Sequence, residues 1–253
     1  WMAKTAIRHF HPDLLLIGTL QGDDLIQLVE QEPQERAWTT RVGQAAFPTL
    51  TRWLQPEPGP MESYRSVFLK SQAYIRSTFT PVQQQRYGKL PDLVQGCFEN
   101  GLLNPSLLQT AINQPDRFAR PLTGQQQWRD QARREWTECL ETLHDLCQRE
   151  GVRLVVAIVP DGPYVSAAAG RGMKQIGYDI PGELRTCDIP DKIITEACQA
   201  LQVRCLSSTA AFRRADEGDY YPLDGHFTSR GHRRLARTLA PRLLATPEQN
   251  RSP

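Results

Sequence analysis

Three short apolar runs stand out in a chain otherwise dominated by helical spacing. Residues 13–18 (Asp-Leu-Leu-Leu-Ile-Gly) show no polar alternation, follow Pro12 and run into the polar cluster Gln21-Gly22-Asp23-Asp24. A continuous run of this length predicts a strand buried on both faces. A second run covers 152–159 and stops at Pro160-Asp161-Gly162-Pro163, and a third covers 203–206. Ahead of the second run, Trp136, Leu140, Leu143, Leu146 and Cys147 recur at helical spacing over about 128–150, and Gly151 is placed to end that helix. Another amphipathic segment, about 191–201, precedes the third run. A last helix is predicted over 229–244, with Leu235, Leu239 and Leu243 four residues apart, Thr228 or Ser229 as N-cap, and Pro241 as a point where it kinks or shortens. Helices alternating with strands demand parallel pairing and helices laid over the sheet, so the expected class is α/β. Between the first two runs lies a long stretch rich in Gln, Pro and Arg without a strand-like segment. It predicts a mostly helical insertion over about 33–127, and residues 248–253 read as a loose tail.

Composition narrows this picture. With 253 residues, 40% of them hydrophobic, the chain can bury one substantial core, and a single domain spanning 1–253 is expected. The formal net charge is only +2, with arginines scattered along the chain, so nothing calls for a nucleic-acid partner. No apolar run approaches the roughly 20 residues that span a bilayer, and the opening residues lack the order of a signal peptide. The six cysteines never form a CxxC pair and several sit among apolar residues, which predicts free thiols and favours a reducing, cytoplasmic setting, with export left open. The opening Trp1-Met2 is unlike a natural start and suggests a truncated N-terminus.

In open parallel α/β sheets ligands bind beyond the carboxyl ends of the strands. The segments to inspect are therefore 21–24, 160–164, 207–209 and 219–228. The last holds Asp224 and His226 two residues apart, directly before a helix. A carboxylate beside an imidazole holds one tautomer and stabilises the imidazolium formed when the ring takes a proton from a nucleophile. The alternative is a helix-capping Asp224 and an ordinary surface His226, since this spacing also arises by chance.

The stretch Tyr220-Tyr-Pro-Leu-Asp-Gly-His-Phe-Thr-Ser-Arg-Gly-His-Arg-Arg-Leu-Ala236 resembles the last motif block of SGNH/GDSL hydrolases. The resemblance implies a three-layer, flavodoxin-like parallel sheet of SGNH-hydrolase type, with His226 as general base, Asp224 as its orienting acid, and no metal or organic cofactor. The two-residue interval is similar to the DxH form of alginate-type O-acetyltransferases in that superfamily, which leaves deacylation and acyl transfer open. His232 reads as structural. Residues 12–25 resemble the family's third block, with Asp23 where an oxyanion-donating Asn would stand; an ionised carboxylate has no proton to donate. The family's Gly-Asp-Ser turn occurs nowhere, and were residues 14–18 instead the first strand, Leu20 would stand at the serine's position. The implied function is thus an acyl or acetyl esterase, or an O-acyltransferase, acting on a small-molecule or carbohydrate ester. Its serine lies outside this chain, which alone is expected to be inactive. The rival reading is a non-catalytic binding or scaffold domain of the same fold.

Overall fold

The computed structural model describes residues 2–30, 64–124, 126–215 and 218–244. Three parallel strands, β1 (Leu14–Leu20), β2 (Arg153–Val159) and β3 (Arg204–Ser207), form one sheet in the order β1-β2-β3. β1 and β2 pair along their whole length, from Leu14 opposite Arg153 to Leu20 opposite Val159, and β3 pairs Arg204 with Val155 through Ser207 with Ile158. Helices cover both faces, because strand side chains alternate between them. Leu15 and Ile17 of β1, with Leu154, Val156 and Ile158 of β2, meet the helices Met2–Phe10, Asp23–Glu30, Gln126–Arg149 and Ile189–Ala200 through Ile7, Leu25, Trp136, Leu140 and Ile194. On the opposite face Leu14, Val155, Ala157 and Leu206 pack on Leu235, Leu239 and Leu243 of the helix Ser229–Leu244, which continues through Pro241.

Contrary to the expected burial on both faces, β1 leaves Leu16 and Leu20 41% and 38% exposed. Among the described residues β1 pairs on one side only, and the last helix lies over β2 and β3, reaching β1 at Leu14 alone. A continuous apolar run records the hydrophobicity of a strand and not its place in the sheet.

The described part of the long β1–β2 connection is helical: Tyr64–Ser77, Pro81–Gly88, Asp92–Glu99 and Pro105–Asn113, followed by short turns at Arg117–Ala119 and Arg120–Thr123. The expected insertion's residues 33–63 lie outside the described residues. Local sequence explains several helix starts. Thr80 and Gln83 cap each other reciprocally before Pro81, and Asn104 accepts from the Ser106 amide before Pro105. These helices share one core with the loops beyond β2, joining Phe79, Tyr87, Phe98, Leu108 and Ile112 to Tyr164, Ile176 and Tyr178. That shared core carries the 104–118 segment to the carboxyl end of the sheet.

Candidate functional site

The Asp224–His226 loop is held by contacts on every side. Tyr220 and Phe227 bridge across it in antiparallel fashion, and the Tyr221 amide donates to the His226 carbonyl at 2.9 Å. Gly225 lies in the left-handed region at φ +74°, a conformation that costs glycine little and that turns the chain between the acid and the imidazole. The Tyr220 hydroxyl donates to the Pro160 carbonyl at 2.8 Å, and Phe227 stacks on Phe212 with ring centroids 5.0 Å apart. Thr228 is the N-cap of the last helix: its hydroxyl accepts from the Gly231 amide at 3.3 Å and donates to the Gly218 carbonyl at 2.7 Å. Asp219, 3% exposed, anchors the loop to that helix through Arg234 at 2.6 Å and Arg230 at 3.3 Å. Two glycines permit the close approach. A Cβ on Gly172 would lie 1.5 Å from the Pro222 carbonyl oxygen, and one on Gly231 would lie 2.2 Å from that of Asp219.

The loop closes one side of a cleft of about 720 Å³ at the carboxyl ends of β1 and β2. Asp23, Asp224 and His226, the three residues singled out from the sequence, all line it. His226 Nδ1 is 2.9 Å from Asp224 Oδ2, with the imidazole 75% and the carboxylate 41% exposed. Nδ1–H donates a hydrogen bond to the carboxylate, a tautomer that leaves Nε2 with its lone pair and no partner among the described residues. The pair can therefore accept a proton from a group that enters the cleft.

Asp23 is placed otherwise than a donor would be. Its Oδ1 accepts from Arg117 Nε at 3.0 Å and Nη2 at 2.7 Å, and its Oδ2 from Gln27 Nε2 at 2.5 Å. Arg117 is 8% exposed and also donates to Glu30 at 2.9 Å and Gln114 at 3.2 Å. This guanidinium ties the first helix after β1 to the helical segment opposite, across the cleft wall. Sequence reasoning missed Arg117, one of many arginines in a polar stretch; no local signal marks it.

Asp161 follows β2 by two residues, within the segment 160–164, and sequence reasoning missed it. Its Oδ2 accepts from the amides of Gly22 at 2.9 Å and Asp23 at 3.0 Å, the free donors at the start of the helix Asp23–Glu30. Burial pushes its carboxyl up to about 7, assisted by the nearby Asp23 charge and opposed by the two amide bonds. Asp24 turns back instead, accepting from the Leu20 amide at 2.8 Å and the Thr19 hydroxyl at 3.1 Å, and burial raises its pKa. At the β3 side Asp191 accepts from the hydroxyls of Ser207 at 2.8 Å and Thr209 at 2.7 Å and from the side-chain Nε2 of Gln21, joining the ends of β1 and β3.

Leu20, the last residue of β1, also lines the cleft. Ser106 does so from the opposite helix, and its hydroxyl makes no hydrogen bond among the described residues. Among the described residues no group of three or more His, Cys, Asp or Glu side chains is placed to hold a metal, and no helix is long and apolar enough to cross a membrane. All six cysteines are free thiols. Compared with known protein families, curated proteins and solved structures, the chain has no match.

Proposed function

We propose that this cleft is the ester site of an SGNH-type acyl or acetyl esterase with a three-layer, flavodoxin-like α/β fold. The observation that carries the reading is the 2.9 Å contact between His226 Nδ1 and Asp224 at the mouth of a cleft beyond the parallel strands, with Nε2 unpartnered among the described residues. In this reading His226 Nε2 takes the proton of a serine hydroxyl as its oxygen adds to the ester carbonyl. The imidazolium, stabilised by Asp224, returns the proton to the departing alkoxide, and water then releases the acyl group by the same route. An alcohol in place of water would make the same site an O-acyltransferase. The substrate is a small-molecule or carbohydrate acyl ester, and no metal or organic cofactor enters the chemistry. The serine comes from outside the described residues.

A second reading has its own support. Leu20 occupies the cleft at the end of β1, and the Asp23 carboxylate is held as an acceptor by Arg117, so it offers no proton to an oxyanion. Both features suit a domain that binds its ligand without cleaving it. A fluorophosphonate probe applied to the full reading frame, with the labelled residue mapped by mass spectrometry, separates the two. A labelled serine whose modification is abolished by His226→Ala supports the esterase. A folded protein that takes up no probe supports the binding domain.

A further inference from the structure

A second groove, of about 670 Å³, lies on the other side of the helix Pro105–Asn113. Four cationic side chains line it, Arg86, Lys89, Arg171 and Lys174, against one carboxylate, Asp179. The whole chain has a formal charge of only +2, so this is a local concentration of charge and not a sample of a basic surface. Arg86, Lys89 and Lys174 have no carboxylate partner among the described residues. Arg86 is steadied by its Nη1, which donates to the Ile112 carbonyl at 2.6 Å. Like charges gathered around a concave, low-dielectric wall repel one another and focus a positive potential into the groove.

The groove is preformed. Its three segments are joined: the Asp179 amide donates to the Pro115 carbonyl at 2.7 Å, and Gly177, at φ +107°, lies so close to the Leu90 side chain that a Cβ there would come within 3.3 Å of it. Leu90, Pro91, Ile112 and Pro115 add an apolar wall beside the cations.

We infer that this groove binds a small phosphate monoester whose apolar portion lies on that wall. A dianion engages several cations together, whereas a single carboxylate would leave most of them unmatched. The volume is that of a small-molecule site, and the cations do not extend into the long track that a polynucleotide requires. The inference is independent of the esterase reading.

Isothermal titration of the 253-residue chain with phenyl phosphate and with inorganic phosphate tests it. Phenyl phosphate should saturate one site, about tenfold tighter than inorganic phosphate, and should weaken severalfold between about 50 and about 200 mM salt. The exposed pair Lys89→Gln and Lys174→Gln together should weaken it at least tenfold while leaving the thermal midpoint within about 2 °C. His226→Ala should leave it unchanged. Absence of saturable phenyl phosphate binding, or binding that survives the double substitution, overturns the inference. So does titration of the same lysines by phosphatidylglycerol vesicles or single-stranded RNA in the absence of phenyl phosphate binding, which would make the groove a surface for a macromolecule.

Discussion

Asp161 should make the protein less stable as pH rises from mildly acidic to neutral. In the folded chain its carboxyl keeps its proton up to about 7, whereas in the unfolded chain the proton is lost near the ordinary 3.8. Between those values the folded state binds more protons, so unfolding free energy declines with increasing pH and levels off above pH 7. The full gap corresponds to about 4 kcal/mol, and because Asp161 opens onto the cleft an effect of about 2–4 kcal/mol is expected. Asp161→Asn keeps an oxygen for the Gly22 and Asp23 amides but cannot ionise. The variant should match the parent near pH 4 and exceed it by about 2–4 kcal/mol at pH 8. Urea denaturation of both proteins across that range isolates the residue, since every other titrating group cancels in the difference. A difference that stays constant with pH would show that the carboxylate is solvated through the cleft and that its burial does not govern its protonation.

Arg117→Met should cost about 2–3 kcal/mol, toward the low end for a broken buried ion pair because Asp23 and Glu30 keep some exposure, and Asp23→Asn in the same protein should recover part of the loss in a double-mutant cycle. Gly172→Ala and Gly231→Ala should each cost about 3 kcal/mol or more by urea denaturation, because the added Cβ meets a backbone oxygen in both cases. His226→Ala and Asp224→Asn should each change stability by under about 0.5 kcal/mol, as expected for groups so exposed, while abolishing His226-dependent probe labelling in the esterase reading. Thermal denaturation beside the labelling gel shows whether a silent variant is still folded.

The chain's local order was written in its sequence. The strands, the helix that Gly151 ends, and the last helix behind Thr228 all follow from spacing, caps and stops within one segment. The Asp224–His226 contact belongs to the same class, since one glycine at positive φ turns the chain between them. What tertiary structure decided lies between distant segments. Arg117 meets Asp23 across 94 residues, and Asp161 caps a helix that begins 138 residues earlier. The four cations of the second groove come from two segments more than eighty residues apart in the chain. The exposure of Leu16 and Leu20 on β1 is of this kind too, because it depends on which elements pack over that part of the sheet. Local backbone geometry repeats every few residues and leaves a periodic trace. Convergence of remote side chains depends on how the buried faces of the helices between 64 and 124 settle on the loops beyond β2, and no spacing along the chain records that packing.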